Sequence, residues 1–161
     1  MTPARAILVF AILVVGVVGF NVYQALGSPR SDAQLIDEAL ERSLRDSKDG
    51  KPGSALDLLS KTFSVNQTEL GYDRASIADF IRKAKPQIEV PERHTRVFGD
   101  EARVTSPVNL RMEPLGERAI PEVTMIFQRE DDRVYGIFPA RRWKLVDVRI
   151  PDQALAEFSG F

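Results

Sequence analysis

The chain of 161 residues has no cysteine. That excludes disulfides, iron–sulfur clusters, thiolate zinc sites and a cysteine nucleophile. It has one histidine, His94, so a multi-histidine metal site within one chain is impossible. Neither sign of charge dominates: 22 Lys+Arg stand against 23 Asp+Glu, a formal charge of −1. The basic footprint of a nucleic-acid binder is therefore missing, and no nucleic-acid partner is expected. Glycine-rich phosphate loops, nucleophile elbows and metal-spaced carboxylate motifs are absent from the sequence, and no cofactor is expected.

What the chain does have is one long apolar run. Ala6 to Phe20 reads AILVFAILVVGVVGF, and the run continues to Leu26 before Gly27-Ser28-Pro29-Arg30. About twenty-one residues at ~1.5 Å rise make about 30 Å of helix, the thickness of a bilayer's hydrocarbon core. Ala6, Phe10, Val14, Val18 and Leu26 are spaced along this expected anchor. A cleaved secretory signal is the competing reading, with Arg5 at its start and Ala25-x-Gly27 as the cut. Length favours the anchor, because a signal's apolar core is only ~7–15 residues. A buried core helix does not fit, since the run has no polar face. Orientation rests on one charge: Arg5 and the amino terminus on one side, Arg30 on the other. The head is too short to fold, so the expected arrangement is single-pass, amino terminus in the cytosol and C-terminal domain outside it. If the leader is cleaved, the domain is secreted.

Taking away 1–27 leaves 134 of the 161 residues, the size of one domain, with 21 basic and 23 acidic residues. The expected division is 1–27 anchor or signal, 28–151 domain, 152–161 tail. Leu35, Ile36, Ala39, Leu40 and Leu44 recur at helical spacing over 31–46, and Ser47 to Gly53 stops that helix. Ser54 opens a second helix with Ala55, Leu56, Leu58, Leu59 and Phe63 apolar. Asn66-Gln67-Thr68 matches a glycosylation acceptor, which matters only in a eukaryotic secretory lumen. Ser76 with Asp79 resembles a capping box opening a third helix, whose apolar face is Ile77, Phe80, Ile81 and Ala84.

After Pro86 the period changes to two. Strands are expected over 88–98, bent at Pro91, then 102–112 and 120–128. Arg129 to Arg133 is read as a turn, and a last strand covers 142–150. That last strand is apolar on both faces, which suits a central position. Helices followed by antiparallel strands make an α+β fold: three helices packed on one face of a strongly curved sheet of four to six strands.

This order, with SALDLLSKTF, SIADFIRKAK and the closing RRWKLVDVRIP, resembles the nuclear transport factor 2-like, or cystatin-like, cone superfamily over residues ~31–150. The resemblance implies a bent sheet around a helix with a cavity between them. The superfamily includes ketosteroid isomerases and SnoaL-like cyclases, and also non-catalytic members that bind proteins or dimerise through the sheet face. An anchor followed by such a domain is similar to scaffold subunits of bacterial type IV secretion systems and to anchored accessory proteins of lipid uptake. Two functions follow. One is a binding or assembly module without catalytic activity, meeting lipid through 6–26 and a protein partner or second copy through the sheet face. The other is a small-molecule-binding or catalytic cone, in which Asp147 is the base and Tyr135 and Trp143 line the pocket. On an ideal strand Asp147 shares a face with Trp143 and Leu145. His94 lies in a charged stretch and is expected on an exposed strand position. Arg133, Arg141, Arg142 and Lys144 form a candidate basic contact patch, interleaved with acids.

Overall fold

The computed structural model describes residues 30–69, 73–113, 116–134 and 138–154. The expected anchor, including Ala6, Phe10, Val14, Val18 and Leu26, lies outside them. Among the described residues no helix is long and apolar enough to cross a membrane. The chain divides into two compact units, Met1–Ser31 and Asp32–Phe161, and the fold is that of the second.

Helix α1, Asp32–Lys48, buries Ile36 and Leu40 along one stripe. It has Asp32 in its first turn and Arg45 and Lys48 in its last, each sign at the end its dipole favours. It stops in a Schellman motif: Lys51 N–H donates to the Asp46 carbonyl at 2.8 Å and Gly50 N–H to the Ser47 carbonyl at 2.9 Å. Gly50 takes φ +72°, which a β-carbon would strain. Helix α2 is shorter than its apolar spacing suggests, ending at Leu58 (Gly53–Leu58). Leu59–Val65 is strand β1. Leu59 to Phe63 carries both periods at once, and the open edge of the sheet decides between them.

Asn66 and Gln67 both take positive φ and form the two-residue turn to β2, Thr68–Glu69. Helix α3, Arg74–Ala84, is capped by Asp73, whose carboxylate accepts from Ser76 N–H at 2.6 Å. Ser76 is thus the third helical residue and not the cap. Phe80, expected in the apolar face, is about half exposed, whereas Ala78 and Ile81 are buried. Lys85 ends α3 at φ +43°, the left-handed region. Lys85→Gly is expected to raise stability by about 1 kcal/mol by removing that strain, measurable by thermal unfolding.

The strands are β3 Gln87–Glu89, β4 His94–Phe98, β5 Glu101–Met112, β6 Gly116–Val134 and β7 Phe138–Arg149. They form a seven-stranded sheet in the order β2-β1-β7-β6-β5-β3, with β4 also on β5. Three expectations are corrected here. The sheet is mixed, because β1 runs parallel to β7. Pro91 separates two short strands where one bent strand was expected. Arg129 to Arg133 continues β6, cross-paired to 139–143 of β7. The closing strand is central, between β1 and β6.

Ile36, Leu40 and Leu58 pack on Val104, Val123, Met125, Phe127, Trp143 and Leu145, so the helices cover one sheet face. Two bulges bend the strands. One sits at Pro107 opposite Pro121-Glu122, where missing N–H groups are tolerated. The other inserts Val146 into β7 between the pairs Phe127↔Leu145 and Ile126↔Asp147.

Candidate functional site

The Val146 bulge sets the direction of the best candidate carboxylate. With one extra residue in β7, Leu145 and Val148 both join the core face. Asp147 therefore points to the opposite, helix-free face, and does not share a face with Trp143 and Leu145 as an ideal strand predicts. It sits beside Ile126 on β6 and Ser64 on β1.

There its side chain is 9% exposed. One oxygen accepts from Ser64 Oγ at 2.8 Å and from Gln67 N–H at 3.1 Å. The other faces Arg149 Nε at 3.3 Å. Burial by itself raises the carboxyl's pKa. The hydrogen bonds from Ser64, Gln67 and Arg149, with the charge of Arg149, outweigh it and hold the group below its ordinary value of 3.8. Asn66 completes the junction: its amide nitrogen donates to the Ile150 carbonyl at 2.9 Å and its oxygen accepts from Ile150 N–H at 2.7 Å. The asparagine of the acceptor motif thus has its side-chain amide bonded to β7.

Around Asp147 the helix-free face forms a broad depression of about 420 Å³, with Ile126 in its lining among Arg103, Glu101, Gln128 and Arg149. Arg103 is bonded to Glu101 at 2.8 Å. Its direct partner on β4 is Arg96, which is exposed and has no ion pair among the described residues. His94 is on the same face, exposed, opposite Thr105.

Trp143 lies on the helix side and is 7% exposed. Its Nε1 donates to Asp32 Oδ1 at 3.2 Å, and the Arg129 guanidinium stacks 4.8 Å from its ring centre. Arg129 also bonds Asp32, so one carboxylate at the start of α1 binds two side chains from adjacent strands. Tyr135 lies outside the described residues. The basic patch does not gather on one face. Arg141 bonds Asp100 at 2.9 Å, which raises its pKa, while Lys144 donates to the Asp57 carbonyl. Arg142 pairs with Glu130 in register and Arg133 with Pro139. Sequence reasoning missed Ser64, Gln67 and Arg149 around Asp147, and Asp32 and Arg129 around Trp143. Only the two positive-φ residues at 66–67 carried a signal, as a polar pair between β-prone segments.

No family model matches the chain, and no curated protein matches it in sequence. Solved structures do. A CaMKII hub from S. rosetta is 16% identical, with 77% of this chain and 98% of that one covered and a TM-score of 0.55. A dehydratase-like member of the nuclear transport factor 2-like family from Streptomyces avermitilis is 17% identical, covering 76% and 96%, at 0.54. A nuclear transport factor 2-like protein of unknown function in nutrient uptake, from Rhodospirillum rubrum, is 17% identical, covering 74% and 96%, at 0.52. At these identities the likeness establishes the fold: the described domain has the nuclear transport factor 2-like α+β architecture.

Proposed function

We propose that the domain is a non-catalytic binding or assembly module that meets a protein partner, in the first instance a second copy, through the helix-free sheet face. In this reading residues 1–27 anchor it as a single-pass protein, 28–151 form the module outside the cytosol, and 152–161 are a tail. The observation that carries the proposal is the Arg96–Arg103 pair. Like charges directly opposite on neighbouring strands destabilise a free domain. An acidic group from a partner placed over them offsets that repulsion, beside an open depression already lined by polar side chains. Asp147 supports the same reading: its oxygens are taken up by three donors and its pKa is depressed, both poor attributes for a general base. The CaMKII hub among the structural neighbours makes self-association the first form to test.

Arg96→Glu separates stability from assembly. The new carboxylate faces Arg103, so the domain should become more stable by about 0.5 kcal/mol. Assembly of the full chain in mild detergent, read as molar mass by light scattering, should fall to the monomer. A wild type that is monomeric at all concentrations and captures no partner from membranes would refute the module.

The dehydratase-like neighbour favours a second reading, a catalytic cone with Asp147 as base and Tyr135 and Trp143 at the pocket. It requires a carboxyl that titrates near neutrality during turnover, and loss of that turnover in Asp147→Asn.

A further inference from the structure

One end of the domain collects three features. The first is the start of α1, where Asp32 is bonded to Trp143 and Arg129, cross-strand partners on β7 and β6. The second is the β4–β5 corner. Asp100 in that corner accepts from Arg129 N–H at 2.9 Å and from the Arg141 guanidinium at 2.9 Å. Just before it, Val97 and Phe98 are 37% and 58% exposed. The third is a two-stranded ribbon. β5 begins at Glu101, opposite Gln128, so beyond that level β6 and β7 pair with each other alone on that side. From Arg129↔Trp143 the ribbon continues through five more pairs to Val134↔Phe138. At ~3.4 Å per residue it reaches about 17 Å past the start of α1.

The chain preceding α1 gives this end a direction. Only residues 27–31 separate Leu26 from Asp32, and five extended residues span at most about 17 Å. With the leader in a bilayer, Asp32 stays within that reach of the lipid surface. The ribbon is as long as the linker at full stretch. We infer that this end of the domain rests on the lipid headgroups, so that the β6–β7 ribbon and the Phe98 corner make a second membrane contact. The inference rests on the anchor reading above. The contact is apolar and short-ranged in character. Val97 and Phe98 supply exposed apolar surface, while Arg133, Arg141 and Arg142 are balanced along the ribbon by Glu130, Asp131 and Asp132. A zwitterionic phosphatidylcholine surface therefore suffices, and salt has little effect.

The absence of native cysteine makes the test site-specific. Asp131 and Glu117 stand near opposite ends of β6, and the Asp131 side chain is 94% exposed. Asp131→Cys and Glu117→Cys in the full chain are labelled with a fluorophore and placed in phosphatidylcholine nanodiscs containing a headgroup spin-labelled lipid. Quenching at 131 should exceed that at 117 by about threefold, the signature of a segment seated at headgroup depth. Adding Phe98→Asp should reduce the difference. Equal quenching at the two positions, with the chain in the nanodisc, overturns the inference and leaves the anchor standing. A chain that elutes apart from the nanodiscs overturns both.

Discussion

Trp143→Ala is expected to lower stability by about 4 kcal/mol, at the upper range of core truncations. Three losses combine. The buried ring packs with Phe127 and Leu145 in the core under α1, and alanine leaves a void there. The Asp32 carboxylate loses the indole donor at 3.2 Å, and Arg129 loses the ring on which it stacks at 4.8 Å. Denaturant unfolding of the variant measures the total. Trp143→Phe divides it: the ring volume is mostly kept and the indole donor is lost, so about 1–2 kcal/mol should disappear. If the alanine variant costs under about 1 kcal/mol, the attachment of α1 to the sheet does not depend on this residue. Asp32→Asn tests the same junction from the helix side and should cost less, because the amide oxygen still accepts.

Asp147→Ala is expected to cost about 3 kcal/mol, because it leaves the Ser64 hydroxyl and the Gln67 amide without an acceptor in a buried junction. For a domain of this size that is a drop of roughly 10 °C in Tm. The sign of the pH dependence follows from the depressed carboxyl. The unfolded chain binds its proton at an ordinary value near 3.8, the folded one only at lower pH. Asp147 thus contributes fully above about pH 4, and its contribution is lost as pH falls through the folded value. Wild-type stability should decline across that acidic window more steeply than that of Asp147→Asn, and the two should run parallel above it. A carboxyl titrating near neutrality would reverse this pattern and would restore Asp147 as a candidate base.

The comparison of Trp143 and Asp147 shows how far the sequence was legible. Both stood out as unusual in RRWKLVDVRIP, and both are buried. Their faces were not readable, because a strand's alternation fixes sides only while the register is unbroken. One inserted residue, Val146, changes the parity for everything after it. Nothing in the residue type of a valine announces a bulge. The parallel pairing of β1 with β7 was hidden for a related reason. Leu59 to Val65 is helix-compatible in isolation, and only the free edge of β7, more than eighty residues away in sequence, makes it a strand. Ser64 and Gln67 meet Asp147 across that same separation.

Local patterns determined what depends on neighbours within a turn or two: α1 with its apolar stripe and its glycine stop, the change of period at Pro86, the lack of thiol and multi-histidine chemistry, and a leader long enough to cross lipid. The tertiary structure alone decided which face each β7 side chain takes, which donors hold Asp147 ionised, and that Asp32 joins Arg129 and Trp143. The physical reason is that hydrophobic period and capping are short-range properties of the chain. Register, bulges and hydrogen-bond partners arise between segments far apart in sequence, and their energies exist only once those segments have met.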